Sequence, residues 1–161
     1  AAGWAPMPKP PRTVTLLATS QTEPALWRYT TERPAGNWQA ADFDDSAWQE
    51  GSGGFGTPQT PGAIVRTQWN SGEIWVRRSF ELAAPLPARA ALRLHHDEDA
   101  QVYVNGVLVL ARSGYTTEYE AEEIDVKALR TGRNVLAIHC RQTTGGQYID
   151  AGLDAILPDA K

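Results

Sequence analysis

Apolar and polar residues alternate along this chain in short runs, and turn-forming Gly, Pro, Asn and Asp interrupt them about every ten residues. The runs rich in Val, Ile, Trp, Tyr and Thr lie at 13–18, 26–31, 73–82, 90–96, 100–104, 107–112, 120–125, 134–142 and 147–157. Short strands at that regular spacing predict an all-β fold, an antiparallel sandwich or barrel. The strongest local signal is LRLHHDEDAQVYVNGVLVL, residues 92–110. Asn105-Gly106 accepts positive φ at both central positions of a type I′ turn, so a two-residue loop should pair Val104 with Val107 and Val102 with Val109. Four valines then share one face of the hairpin, with Gln101, Tyr103, Leu108 and Leu110 on the other.

Two further runs carry a readable register. In QYIDAGLDAIL, Ile149, Ala151, Leu153, Ala155 and Leu157 share one face and Tyr148, Asp150, Gly152 and Asp154 the other, which predicts one core face and one solvated face. In EIWVRRSFEL, Ile74, Val76, Phe80 and Leu82 point inward and Trp75, Arg77, Ser79 and Glu81 outward. Arg78 then falls among the inward residues, which requires either a bulge or a buried pairing with a carboxylate. The one helical feature is DVKALRTG, where Asp125 caps a single turn, Leu129 packs down and Gly132 supplies a left-handed exit. Residues 37–62 are rich in Gly and weak in periodicity. They read as a long ordered loop crossing one end of the sandwich, anchored in the core by Trp38, Phe43 and Trp48.

Composition sharpens this picture. The 161 residues suit one domain over 13–161, with the Ala- and Pro-rich residues 1–12 reading as a linker or trimmed end. Fifteen Lys and Arg against 19 Asp and Glu give a net charge of −4 with the signs interspersed, which argues against nucleic acid and against a membrane surface as partner. No stretch approaches the roughly 20 apolar residues of a membrane-spanning helix. The one cysteine, Cys140, has no disulfide partner within the chain and sits in the apolar run NVLAIHC as a small buried side chain. Six Trp and five Tyr beside few cations suit uncharged polar partners reached by aromatic stacking.

Three patches, NWQAADFDDSAWQEGSGGFG, EIWVRRSFEL with LHHDEDAQVYVNG, and EIDVKALRTGRNVLAIHCRQTTGGQYIDAGL, form an ordered series from Trp38 to Leu153. The series resembles the sugar-binding jelly-roll domain that accompanies the catalytic barrel in β-galactosidase-like glycoside hydrolases, within the wider galactose-binding-like fold. The resemblance implies an antiparallel jelly roll in two sheets, with a binding or scaffolding role and no chemistry of its own. It also implies that Trp69, Asn70, Gln142, Tyr148 and Asp150 lend polar groups to a neighbouring pocket, although no catalytic barrel is present in these residues to complete one.

A sugar is held by an aromatic ring on its C–H face and by carboxylates, amides and guanidinium groups on its hydroxyls. Trp75 and Arg77 share one side of their strand, Tyr148 and Asp150 one side of theirs, and Trp69-Asn70 precedes the first. With Gln142 they make the candidate carbohydrate platform. The alternative is that Trp75 and Tyr148 pack beneath the crossing loop. Asp97 and Asp99, flanking Glu98, are the candidate ligands of a structural calcium, or are solvated or paired with arginine; no other cofactor is required. His95 and His96 point to opposite faces of a strand, so with His139 they make a poor zinc site. GSGGFG lacks the Lys-Ser/Thr ending of a phosphate loop, and no GxSxG elbow presents a serine.

Three functions fit these features. The first is a monomeric, non-catalytic carbohydrate-binding module of a secreted or periplasmic bacterial polysaccharide-degrading enzyme, whose partners are a poly- or oligosaccharide and the catalytic domain of the same polypeptide. The second is a structural accessory domain that packs on a glycoside hydrolase catalytic domain and completes its active site. The third is a small glycan hydrolase or lyase using an acid pair such as Asp97 and Asp150.

Overall fold

Strand-forming runs and turn residues assemble here into two six-stranded sheets packed as a sandwich. A computed structural model describes residues 9–159. Residues 1–8 of the expected linker lie outside the described residues, and 9–12 are exposed. The strands are β1 (Thr13–Leu17), β2 (Ala25–Thr30), β3 (Gln49–Gly53), β4 (Phe55–Gly56), β5 (Thr67–Gln68), β6 (Glu73–Leu82), β7 (Ala90–Asp97), β8 (Asp99–Val104), β9 (Val107–Arg112), β10 (Glu120–Ile124), β11 (Gly132–Arg141) and β12 (Tyr148–Ile156). One sheet runs β10-β7-β12-β4-β5 with β1 also paired to β12; the other runs β3-β2-β6-β11-β8-β9. Every pairing is antiparallel except β4 with β5.

Between the sheets, Leu92, Leu94, Ile149 and Leu153 meet Ile74, Val76, Val102, Leu136 and Ile138 in one continuous apolar cluster. The predicted helical turn is a single 3-10 turn at Val126–Ala128, in which Asp125 Oδ1 accepts the Lys127 N–H at 2.9 Å. Leu129 is buried after it, and Gly132 leaves with φ of 91°.

Local registers depart from expectation in four places. The Asn105-Gly106 turn forms with φ of 50° and 84°, but an irregularity between Val102 and Tyr103 pairs Val102 with Leu110 and not with Val109. Leu110 is therefore the buried residue of β9, while Val107 and Leu108 are half exposed. The face of β12 expected to be solvated is not: Tyr148, Asp150, Gly152 and Asp154 are all buried, because loops cover this outer face of the sheet. Arg78 lies on the inner face with no bulge, since β6 and β11 stay in register from Glu73 to Leu82. It is tolerated there because it is half buried, donates to the Ala18 carbonyl at 2.6 Å and lies over the Trp27 ring.

The segment read as one loop over 37–62 holds strands β3 and β4 as well. Its lack of periodicity has a steric origin. A Cβ at Gly54 would lie 2.0 Å from the Tyr148 hydroxyl and one at Gly56 2.2 Å from the Gln147 carbonyl oxygen, so glycine is needed where two chain segments touch and the apolar alternation is lost.

Residues 37–48 lie across the outer face of the second sheet. Trp38, Phe43 and Trp48 pack there with Trp75, Ala137 and Tyr103 in a second, smaller cluster, and so anchor the loop to this face and not to the inter-sheet core. Arg77 holds the loop down. Its guanidinium is fully buried and donates to the carbonyls of Trp38 (2.6 Å), Ala40 (2.8 Å) and Phe43 (3.2 Å) and to Asp45 Oδ2 (2.9 Å). A planar fork with five donors can satisfy several acceptors at once; an ammonium cannot.

Arg77→Ala should therefore cost about 3 kcal/mol or more in urea denaturation, because it strands the Trp38 and Phe43 carbonyls and the Asp45 carboxylate, and Arg77→Lys should recover less than half of that. A loss below about 1 kcal/mol would show that the loop is not held by this residue.

Candidate functional site

The residues expected to form an exposed carbohydrate platform are not displayed together. Trp75 and Arg77 are on the outer face of the second sheet beneath the 37–48 loop, and Trp75 stacks on His139 with ring centroids 4.7 Å apart. Trp69 belongs to the inter-sheet core and its indole N–H donates to Ser71 Oγ. Trp69 and Trp75 are each 2 % exposed and Tyr148 0 %. The expectation is corrected for these rings and for Arg77 and Asp150: Trp69 packs in the core between the sheets, and Trp75, Arg77, Tyr148 and Asp150 are packing and anchoring groups sealed by loops that alternation along a strand does not reveal. Asn70 is exposed, and Gln142 is half buried with its amide donating to the Gly145 carbonyl.

Asp150 anchors the outer face of the first sheet. Across the sheet it pairs with His95, and on its open side the chain passes at Ser20. Its carboxylate accepts the Ser20 N–H at 2.7 Å, the Ser20 hydroxyl at 3.2 Å and the Tyr119 hydroxyl. The Tyr119 oxygen is also 3.1 Å from that of Tyr148, which donates to the Ile64 carbonyl at 3.0 Å. Burial raises the pKa of Asp150, and the Tyr119 and Ser20 donors oppose that shift. His95 is buried against both tyrosine rings, and neither of its ring nitrogens has a hydrogen-bond partner among the described residues. An Asp150 closed in this way is no general acid or nucleophile for a substrate in solvent, so the acid pair Asp97 and Asp150 does not form a hydrolytic site.

The same network positions four loops at one end of the sandwich. The segment 113–119, between β9 and β10, is fastened along its length. The Gly114 N–H donates to Asp99 Oδ1 at 2.9 Å, Tyr115 forms a β-bridge with Asp97, the Thr116 N–H donates to the His96 carbonyl at 2.8 Å, and Tyr119 bonds Asp150. Thr60, from the loop after β4, bonds both the N–H and the carbonyl of Gln147 at 2.9 Å. Between these loops is an open depression of about 340 Å³ walled by Asp97 and Glu98, by Tyr115–Thr117 and by Thr144–Gly146. Sequence reasoning missed Tyr115 and Tyr119; the only signal was the pair of tyrosines in SGYTTEY, a stretch without periodicity.

Asp97 and Asp99 do not converge with a further ligand: among the described residues no group of three or more His, Cys, Asp or Glu is arranged to hold a metal ion. Asp99 is engaged by Gly114 and lies 3.7 Å from Arg141. Asp97 is 6 % exposed, and its Oδ1 is buried without a partner among the described residues. Burial, with the neighbouring Glu98 charge, raises its pKa to about 6.

No family model and no curated protein matches this chain. Solved structures do. A β-glucuronidase of Bacteroides uniformis superimposes with a TM-score of 0.57 and 18% identity over 89% of this chain and 18% of that one. A glycosyl hydrolase family 2 member from Bacteroides cellulosilyticus gives 0.58 and 18% over 86% and 20%. A Bifidobacterium dentium β-glucuronidase complexed with coumarin-3-O-glucuronide gives 0.55 and 20% over 87% and 22%. The chain thus spans about a fifth of the length of these enzymes, and at such identities the likeness is one of fold.

Two measurements probe the network. Tyr119→Phe removes one donor from a buried carboxylate and should cost about 1–3 kcal/mol in denaturant unfolding, whereas Tyr115→Phe, on the exposed ring, should change stability by less than about 0.5 kcal/mol; equal effects would contradict the assignment. Acid should act on His95 and Asp97 in opposite senses. Burial pushes His95 down to about 4 from 6.5, so the unfolded chain takes up a proton first and stability falls as pH drops through that window. Asp97, raised to about 6 from 3.8, is protonated first in the folded state, so its contribution to stability rises as pH drops from about 6 toward 4. Asp97→Asn should therefore lose stability more steeply than the parent between pH 6 and 4, and parallel profiles would count against a raised Asp97.

Proposed function

We propose that this chain is a non-catalytic ancillary domain of a larger glycoside hydrolase polypeptide, secreted or periplasmic and bacterial, that holds a poly- or oligosaccharide for the catalytic domain of the same polypeptide. The observation that carries this reading is that nearly the whole sandwich superimposes on only about a fifth of each matching glycoside hydrolase. The ordered motif series from Trp38 to Leu153 points the same way. Closure of Asp150 beneath Ser20 and Tyr119 supports binding over bond cleavage, since it removes one member of the only acid pair suggested for hydrolysis. A net charge of −4, and a loop-end depression lined by the carboxylates of Asp97 and Glu98 with neither Lys nor Arg among the described residues, suit a neutral glycan better than an anionic one.

Affinity electrophoresis and isothermal titration of the 161-residue chain against xylan, β-glucan, galactan and arabinogalactan, with a reducing-end assay on the same mixtures, test the proposal. Retardation by at least one glycan with no release of reducing ends is the expected result. Release of reducing ends would make the chain an enzyme, and uniform absence of binding would overturn the carbohydrate reading.

A further inference from the structure

At the loop end, one aromatic ring is presented in a way its surroundings do not require. Tyr115 is 65 % exposed, although the backbone around it is fastened at Gly114, Tyr115, Thr116 and Tyr119. Large exposed rings on a backbone this well tied lose little conformational freedom when a ligand covers them. The ring borders the depression that Asp97 also lines, and Asp97 is a nine-tenths-buried carboxylate whose Oδ1 has no hydrogen-bond partner among the described residues. A buried acceptor left unpaired is uncommon and needs a cause. On the opposite rim the chain approaches so closely that a Cβ at Gly146 would lie 3.0 Å from Asp97 Oδ2, so backbone there lies against the acid.

These groups complement one chemistry. An aromatic face takes the C–H face of a pyranose, a carboxylate accepts from its hydroxyls, and the exposed Thr117 and Thr144 with the Gly145–Gly146 backbone can exchange further hydrogen bonds. Among the described residues neither Lys nor Arg lines the depression, while two carboxylates do, Asp97 and Glu98. An anionic ligand would enter against both. The volume, about 340 Å³, is at the small end of ligand sites and suits a single sugar unit or chain terminus.

We infer that Tyr115, Asp97 and the Thr144–Gly146 rim form a subsite for one neutral pyranose, stacked on Tyr115 and hydrogen-bonded to Asp97, that discriminates against uronic acids. The inference rests on the carbohydrate-binding reading and adds to it a place and a charge preference. That preference sets the subsite apart from the uronide specificity in the names of several matching enzymes.

The test is titration of the ¹⁵N-labelled chain with methyl β-D-glucopyranoside, methyl β-D-galactopyranoside, methyl β-D-xylopyranoside and methyl β-D-glucuronide, each to about 50 mM, well above the millimolar affinity expected of a single sugar ring. At least one neutral glycoside should shift the amides of Gly114, Tyr115, Thr116, Gly145 and Gly146 saturably, and the glucuronide should bind about fivefold or more weakly. Tyr115→Ala should weaken the neutral glycoside by roughly tenfold. Asp97→Asn should reduce the preference over the glucuronide to within about twofold, an effect on selectivity that a purely structural role would not produce. Saturable shifts confined to another surface, equal affinity for the glucuronide, or unchanged affinity and selectivity in both variants would overturn the subsite. If glycans retard the chain in gels but none of these glycosides shifts the named amides, the subsite is wrong and the binding reading stands; if neither occurs, both fall.

Discussion

The constraint on which the structure depends is that a charged side chain on the outward face of each sheet, Arg77 on one and Asp150 on the other, is buried and takes its hydrogen-bond partners from the chain laid over it. Arg77 meets three carbonyls and a carboxylate of the 37–48 segment. On the other sheet Asp150 meets Ser20 and Tyr119, with Tyr148 extending the contact to Ile64. A buried charge without partners costs more than most single contacts contribute, so each anchor holds its loop in one place and the loop in turn excludes water from the anchor. The molecule is layered accordingly, with a sandwich at the centre and a fastened loop layer over each outer face.

This layering decides where a ligand can act. The rings that would make a broad platform on the strands, Trp75 and Tyr148, are spent on fixing the covering loops. What stays open is the end at which the β7–β8, β9–β10 and β11–β12 connections meet, and there the ties of the 113–119 segment hold Tyr115 beside Asp97. Rigid sheets beneath tied loops are a suitable base for recognition, because the geometry is paid for in folding and not at the moment of binding.

Much of the fold was legible in the sequence, because period-two alternation and turn residues report strand identity directly. Nine of the observed strands overlap the alternating runs, and the 3-10 turn with its Asp125 cap is where DVKALRTG placed it. Strands β3, β4 and β5 were hidden: the first two contain Gly51, Gly53 and Gly56, which close approach requires, and the third is two residues long. The candidate site was much less legible. Alternation identifies which residues of one strand share a face, but neither what covers that face nor which strands are neighbours, so Trp75 was rightly paired with Arg77 and Tyr148 with Asp150, yet the two pairs lie on the outer faces of opposite sheets and neither is displayed. Arg78 shows the converse, since its inward position was readable from register alone while its partner, a carbonyl and not a carboxylate, was set by a chain segment sixty residues away. Tyr115 escaped notice because a loop residue has no periodic pattern to mark it.

The most direct test of the layered account is native-state hydrogen exchange at the amides of Trp38, Ala40, Trp48 and Thr116, all bonded within or beneath the covering loops. If the buried anchors hold these loops as firmly as the strands are held, their opening free energies will lie within about 1 kcal/mol of global unfolding. Exchange of these amides at rates close to those of an unfolded chain, with the strand amides still protected, would contradict the account.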